Sequence, residues 1–120
     1  MHPLDQRGYR SATFTTRMLE SSVAVVTVDG ELDFTNVGEL IGVATDITDD
    51  HTGVVIDLSG VEFFGTAGFS ALHALNERYT AQHTRWAVVP SRNVDRVVRI
   101  CDTEVVVPLR PNVETALEPA

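Results

Sequence analysis

Lysine is absent from this sequence of 120 residues, and cysteine occurs once. Without lysine, the chain cannot hold phosphates as a P-loop does or form a Schiff base. Cys101 cannot form an internal disulfide or a cysteine-based zinc site, and we expect it to be buried as a small apolar residue. No apolar run approaches the roughly 20 residues of a membrane-spanning helix. Residues 1–10 also lack the apolar segment of a secretory signal, so we expect a soluble, cytoplasmic protein without membrane contact.

Positive charge is scarce. The sequence contains nine arginines and 17 aspartates and glutamates, which gives a net charge of −8 and a pI near 4.7. A surface of this sign repels phosphate backbones, so direct binding to nucleic acid is not expected. The length predicts one domain, and 43% apolar residues are enough to form a core. We expect a flexible N-terminal tail over residues 1–10 and a single domain over residues 11–118.

The first half of the sequence predicts two strands and a helix. Residues 11–20 and 23–28 have strand patterns, and the short turn between them favours an antiparallel hairpin. Asp29-Gly30 is expected to end the second strand, and a loop is expected over residues 48–53. Between them lies one apolar stripe at helical spacing, formed by Val37, Leu40, Ile41, Ala44 and Ile47. Gly38 and Gly42, four residues apart, favour close packing of this helix against a sheet.

Strands and helices alternate through the second half. Residues 54–58 predict a buried strand that ends at Ser59-Gly60, and residues 85–89 predict another, which Pro90 stops and which places Trp86 in the core. A helix between them would bury one side, formed by Phe69, Leu72, Leu75 and Tyr79. Ser91 is a suitable N-cap for a third helix. The stripe of that helix consists of Val94, Val97, Val98 and Cys101.

The end of the sequence predicts one more strand and one more helix. Residues 105–109 suit an edge strand because Pro108 lacks an N–H group, and Asn112 could cap a short helix through Leu117. The resulting order is β-β-α-β-α-β-α-β-α. It predicts an α/β fold with a mixed, mostly parallel sheet of four to five strands, an N-terminal antiparallel hairpin and about four helices.

The turn over residues 65–68 (GTAG) has the strongest functional potential. It follows a predicted parallel strand and opens a helix, where unpaired N–H groups and the positive end of the helix dipole face outward. The hydroxyl of Thr66 could cap this helix. Alternatively, an exposed hydroxyl here could accept a phosphate, which adds about −1.5 to −2 charges at one point. A partner packed over the turn would then be lost, because desolvating that charge without a cation is costly.

Other acidic residues carry weaker signals. Asp57 has the position of the phospho-accepting aspartate of response-regulator receivers, but those sites need a lysine, so we expect Asp57 to cap backbone N–H groups. Asp29, Glu31 and Asp33 form either a solvated acidic turn or a magnesium site, and a recognition role for Asp33 stays open. The spacing of the four histidines does not suit a metal. We expect no cofactor, and no enzyme activity, since the sequence offers no nucleophile–base pair.

Three segments together resemble the STAS domain, specifically the bacterial anti-sigma factor antagonists of the sporulation and general-stress type. Residues 54–69 (VVIDLSGVEFFGTAGF) are similar to a family strand, a DLS-x-V step and an Asp-Ser-Ser-Gly-Leu turn that opens a helix. Residues 30–33 (GELD) resemble the family's G-x-L-D step. Residues 95–100 (DRVVRI) and 107–109 (VPL) resemble its closing segment. The resemblance spans residues 14–117.

The resemblance implies a partner switch in transcription regulation and stress response. In that family an anti-sigma factor, which is a protein kinase of the histidine-kinase-like ATPase fold, phosphorylates a serine in the turn. The unphosphorylated antagonist binds the anti-sigma factor and frees the sigma factor, and a phosphatase resets the switch. That serine aligns with Thr66, the candidate phosphoacceptor. The candidate partner-binding residues are Asp33, Gly65, Thr66, Ala67, Gly68 and Phe69.

Two departures from the family turn leave alternatives open. Gly65 replaces the usual aspartate and Ala67 replaces the second serine, which could loosen the turn or alter kinase recognition. The chain could then be a permanently active antagonist. It could also be a STAS adaptor subunit of another complex, such as a transport ATPase or a signalling scaffold, or a nucleotide-sensing domain.

Overall fold

A four-stranded mixed sheet organises the domain. The computed structural model describes residues 11–19, 22–47 and 53–118, so the predicted tail and most of the 48–53 loop lie outside the described residues. The strands are β1 (Ala12–Met18), β2 (Val23–Leu32), β3 (Gly53–Phe64) and β4 (Arg85–Pro90), in the order β1-β2-β3-β4. β1 pairs with β2 antiparallel, and the other two pairs are parallel. The predicted α/β class and N-terminal hairpin are confirmed.

β2 and β3 are longer than the sequence predicts. Asp29-Gly30 and Ser59-Gly60 were expected to end them, but both strands continue together to the pairs Glu31–Phe63 and Leu32–Phe64. Two register shifts in this pair let β3 carry extra residues, and Gly30 adopts a φ of +111° there. Such bulges bend a strand without ending it. Glycine therefore marks a distortion inside each strand rather than its end.

Three helices lie in the crossovers and beyond β4: α1 (Val37–Thr45), α2 (Thr66–Ala81) and α3 (Arg92–Cys101). The side chain of Ser91 accepts a hydrogen bond from the N–H of Val94 at 3.2 Å, which confirms the predicted cap of α3. The helices bury their predicted stripes in one core with one face of the sheet, through Leu40, Ala44, Leu72, Leu75, Val94 and Val98. No helix among the described residues is long and apolar enough to cross a membrane.

The other face of the sheet has its own small core. Val25, Val55 and Val89 point to this face, whereas Val26, Ile56 and Val88 beside them in the strands belong to the core on the helical side. The C-terminal segment packs against them through buried Ala116, with Leu117 partly buried beside it. The guanidinium of Arg85 donates to the carbonyl of Leu117 at 2.8 Å. The central strands are therefore buried on both faces, as their β-branched sequences predict.

The predicted strand over residues 105–109 reduces to one bridge, in which Leu109 pairs with Val88. Val105 has a φ of +55°, which interrupts the extended backbone. The carboxylate of Asp102 accepts the N–H groups of Val106 and Val107 at 3.0 and 2.8 Å, and Pro108 has no N–H to donate. The donors that a strand would need are therefore used elsewhere or missing.

Two further expectations at this end are wrong. The segment after Asn112 is a turn, not a helix. The side-chain oxygen of Asn112 accepts hydrogen bonds from the N–H and the hydroxyl of Thr115, both at 2.9 Å, and no α-helix follows. The described chain thus has three helices rather than about four. Cys101 is only half-buried, since it sits at the last turn of α3 beside exposed residues.

Gly38 and Gly42 do not pack against the sheet. Both lie on the exposed side of α1, and a β-carbon built at either position would have no heavy atom within 4 Å. The buried side of the helix instead carries Leu40 and Ala44. The prediction was wrong because four-residue spacing marks a face of a helix but not which face is buried.

We predict that Gly38→Ala and Gly42→Ala each stabilise the domain by about 0.5–1 kcal/mol. Alanine loses less conformational freedom than glycine in a helix, and neither site offers a clash. Urea unfolding of each variant measures the effect. Gly68→Ala is the contrasting control, because its β-carbon would overlap the ring of Phe64, and it should destabilise the domain. Destabilisation by the two α1 substitutions would contradict the prediction.

Tyr79 ties α2 to α1 and to the sheet. Its buried hydroxyl donates to the carbonyl of Ala44 at 3.1 Å, and its ring lies 5.5 Å from that of Trp86. The indole N–H of Trp86 in turn donates to the side chain of Asn76 at 3.2 Å. Burial raises the pKa of Tyr79 to about 12, against a smaller opposing effect of the Arg78 charge.

This pKa predicts a loss of stability in strong alkali. Tyr79 ionises near pH 10 when unfolded but near 12 when folded, so the unfolded state binds fewer protons between these values. The free energy of unfolding should therefore fall across this window by about 2 kcal/mol. Urea unfolding from pH 9 to 12 of the wild type and of Tyr79→Phe measures it. The Phe variant should lack this component, and identical pH profiles would contradict it.

Candidate functional site

The carboxyl ends of β2 and β3 lie side by side. Leu32 and Phe64 are register partners, and the N–H of Gly65 donates to the carbonyl of Leu32 at 3.2 Å. The chain leaves β2 through Asp33 towards α1, and leaves β3 through Gly65 into α2. In parallel sheets such an edge collects the loops that bind ligands and partners. The structure thus brings the predicted residue Asp33 to the same edge as the predicted turn.

Thr66 is the first residue of α2 and is exposed. Gly65 occupies the N-cap position with φ −89° and ψ 179°, so no side chain caps this helix. The alternative that the Thr66 hydroxyl is the cap is therefore wrong, since the residue already lies inside the first turn. Its hydroxyl makes no hydrogen bond within the part of the chain that the structure describes. It is free to react or to meet a partner.

The other predicted residues of the turn differ in exposure. Ala67 and Phe69 are half-buried, and the ring of Phe69 lies 6.2 Å from that of His73, one turn further along α2. Gly68 is buried against the ring of Phe64, which leaves no space for a β-carbon. Gly68 therefore lets α2 approach the end of β3 and offers no side chain to a partner.

Asp33 organises the turn that precedes α1. Its carboxylate accepts the N–H of Thr35 at 2.8 Å and the hydroxyl of Thr35 at 2.5 Å. The side chain of buried Asn36 accepts the N–H of Asp33 at 3.0 Å and donates to the carbonyl of Glu31 at 2.8 Å. The carbonyl of Asp33 also accepts the N–H of Val37 at 3.0 Å. These bonds give Asp33 a structural role in fixing the loop.

Two aromatic residues at this edge were missed by sequence reasoning. The side chain of Phe34 is 81% exposed, and that of Phe63 is 36% exposed with its ring beside Gly65. Phe34 falls outside the apolar stripe of α1, and a large aromatic residue in an otherwise polar turn was the signal that could have identified it. Phe63 was hidden by the bulges of β3, which break the alternation of buried and exposed residues.

The site lies in a strongly acidic part of the sequence. Lysine and arginine are absent between Arg17 and Arg78, and the same stretch holds 11 of the 17 aspartates and glutamates. Asp29, Glu31, Glu39 and Glu62 lie at or near the carboxyl ends of β2 and β3. None of these four forms a salt bridge within the described ranges, where Asp95 pairs with Arg99 at 2.9 Å. The carboxyl ends of β2 and β3 therefore carry carboxylates that have no salt-bridge partner among the described residues.

The remaining acidic residues accept hydrogen bonds from neighbouring groups or lie too far apart to form a metal site. The carboxylate of Asp57 accepts the N–H and hydroxyl of Ser59 at 3.0 and 2.7 Å, as the capping interpretation predicts. Asp29 lies against Gly60, where a β-carbon would overlap its carboxylate. No group of three or more His, Cys, Asp or Glu side chains within residues 11–19, 22–47 and 53–118 is placed to hold a metal ion.

Comparison with known proteins identifies the fold. A STAS domain family model matches residues 17–116. The chain belongs to the STAS domain family. This confirms the resemblance found in the sequence, and the matched range contains both the Asp33 turn and the start of α2.

Two mycobacterial proteins that are similar to this STAS domain carry related names. Anti-sigma-F factor antagonist RsfB of Mycobacterium tuberculosis is 35% identical over 77 residues, which are 63% of this chain and 62% of that protein. The crystal structure of an anti-sigma factor antagonist from Mycobacterium paratuberculosis superimposes with a TM-score of 0.79 at 30% identity, covering 89% of this chain and 92% of that one.

Unphosphorylated SpoIIAA of Bacillus, an anti-sigma factor antagonist, shares the fold of this STAS domain. Its TM-score is 0.66 at 19% identity, and the superposition covers 82% of this chain and 88% of that one.

The uncapped start of α2 predicts how substitutions at Gly65 act. The extended backbone suits any N-cap residue, and a β-carbon would meet the Phe63 ring at an ordinary 3.5 Å. Gly65→Asp and Gly65→Ser should each stabilise the domain by about 0.5 kcal/mol, because their oxygens accept the free N–H groups of the first turn. Thermal unfolding measures the effect. Gly65→Ala, which cannot accept them, is the control, and equal stabilisation by alanine would contradict the capping explanation.

Proposed function

We propose that this STAS domain is an anti-sigma factor antagonist. It binds a kinase-type anti-sigma factor in the cytoplasm, releases a sigma factor, and acts through binding rather than catalysis. The observation that carries the proposal is the exposed, unbonded hydroxyl of Thr66 in the first turn of α2, at the edge where β2 and β3 end. The names of its two mycobacterial relatives support the same function.

Phosphorylation of Thr66 would change this surface more than the fold. The free N–H groups at the start of α2 can donate hydrogen bonds to a phosphate without rearrangement of the helix. The surrounding edge already carries Glu31, Glu39 and Glu62, so a phosphate would deepen its negative charge. A partner in contact with the turn would have to desolvate this charge. The phosphorylated domain would therefore stay folded and lose its partner.

The substitutions at Gly65 and Ala67 are compatible with this role. Gly65 keeps the extended conformation that an N-cap requires, so the backbone presents Thr66 without the side chain that family members have there. Ala67 is half-buried and removes only a second hydroxyl. A single acceptor hydroxyl therefore remains in the turn.

A charge substitution at Thr66 tests the switch. We expect Thr66→Glu to bind the anti-sigma factor at least about tenfold more weakly than Thr66→Gln, because the two side chains differ in charge and hardly in size. Thr66→Ala should bind like the wild type. Calorimetry with purified ATPase-type anti-sigma factors from the same organism measures these affinities. Equal affinities of the Glu and Gln variants would contradict a charge switch.

A kinase assay separates phosphorylation from constitutive binding. The wild type and Thr66→Ala are each incubated with the bound anti-sigma factor and ATP, and the phosphorylated residue is mapped by mass spectrometry. Phosphate on Thr66 of the wild type alone supports the full switch, and a phosphatase should then restore binding. Binding without any phosphate indicates a permanently active antagonist. If no ATPase-type anti-sigma factor binds the wild type, the proposed function is wrong.

A further inference from the structure

Phe34 lies in a hydrogen-bonded turn and faces solvent. It lies between Asp33 and Thr35, and the hydrogen bonds that join Asp33, Thr35 and Asn36 leave the turn little freedom. Its ring is nevertheless 81% exposed, so it contributes almost nothing to the core. The fold thus presents a large apolar side chain to water on a hydrogen-bonded turn.

Such a residue has the properties of a binding anchor. A buried aromatic ring removes a large apolar area from water, and aromatic residues dominate the energetics of many protein interfaces. Because hydrogen bonds already order the backbone of the turn, docking would have to fix mainly the side chain of Phe34. Burying Phe34 in a partner would therefore contribute to affinity.

The position of Phe34 connects it with the Thr66 surface. The hydrogen bond from the N–H of Gly65 to the carbonyl of Leu32 joins the two turns at their bases. Phe34 follows Leu32 by two residues, and Thr66 directly follows Gly65. Phe63, also partly exposed, lies beside Gly65 on the same edge. A protein that covers Thr66 can therefore reach Phe34 without bridging another element.

The carboxylates at this edge indicate which kind of protein surface would bind there. Asp29, Glu31, Glu39 and Glu62 supply carboxylates with no salt bridge in the described part of the chain, and Arg17 and Arg78 bound a stretch without any lysine or arginine. A complementary surface must supply the positive charge. A second copy of this domain, with a net charge of −8, would meet repulsion if it docked here edge to edge.

We propose that Phe34 inserts into an apolar pocket of the anti-sigma factor, and that lysines or arginines of that protein pair with the carboxylates beside Phe34 and not with residue 66. This inference rests on the proposed function and adds a residue outside the Thr66 turn. Phe34 supplies affinity to the complex, and the charge at Thr66 decides whether the complex forms.

Photo-crosslinking tests the contact in cells of the source organism. The photoreactive residue p-benzoylphenylalanine is placed at position 34 of the full chain or, as a matched control, at position 100. Ile100 is also a large exposed apolar residue, 71% accessible, but lies in the last turn of α3. We expect position 34 alone to crosslink to an ATPase-type anti-sigma factor, identified by mass spectrometry. No product at position 34, or the same product from both positions, would overturn the proposal.

Calorimetry with the crosslinked anti-sigma factor then measures the contribution of the ring. Phe34→Ala should bind about 30-fold more weakly or worse, the range of interface hot spots, whereas Ile100→Ala should stay within about twofold of the wild type. Both variants should unfold at the wild-type temperature, because neither side chain is buried. Wild-type affinity should also fall as salt rises, since opposite charges face each other.

The outcomes separate this inference from the proposed function. Equal binding of the wild type and Phe34→Ala to the anti-sigma factor overturns the anchor and leaves the proposed function intact. A crosslink from position 34 to a protein of another class contradicts the proposed function. A crosslink between two copies of this chain, with a dimer in sedimentation that Phe34→Ala dissociates, shows self-association and overturns the anchor proposal.

Discussion

The parallel pairing of β2 with β3 is the constraint on which the site depends. It continues past two bulges to Leu32 and Phe64, and the N–H of Gly65 adds one more bond to the carbonyl of Leu32. Had only one of the two strands ended at its glycine, the turns that follow them would start at different heights of the sheet. Because the pairing continues, the entries to α1 and α2 lie together. A surface made of residues about thirty positions apart thus becomes one edge.

Local sequence patterns predicted the parts of the fold that depend on side-chain periodicity. The apolar stripes of the three helices, the burial of the central strands on both faces and the Ser91 cap all follow from short-range rules, and each is present. The errors occur where long-range bonds decide. Residues 105–109 have a strand sequence, yet the carboxylate of Asp102 takes two of the backbone donors that a strand would use. Asp102 gave no local sign of this role.

The geometry of the candidate site was predictable only in part, for similar reasons. Motif resemblance selected the Thr66 turn as a candidate, and the structure leaves Thr66 exposed at the start of α2. The sequence could not show that the carboxylate of Asp33 accepts hydrogen bonds from Thr35, or that the ring of Phe64 packs against Gly68. The sequence also could not show that the side chain of Phe34 is exposed to solvent. Which residues of a turn face outward depends on how the turn is bonded, and this requires the three-dimensional structure.

The C-terminal segment, which covers the second face of the sheet, determines how far the folding unit extends. Ala116 and Leu117 belong to no helix or strand, yet they shield Val25, Val55 and Val89, and Leu117 fills the space above Gly53. A recombination event or an expression boundary placed after the Leu109 bridge would preserve every regular element and still strip one side of the central strands. The folding unit therefore extends through this irregular segment. A domain boundary drawn at the last helix or strand would leave the segment out.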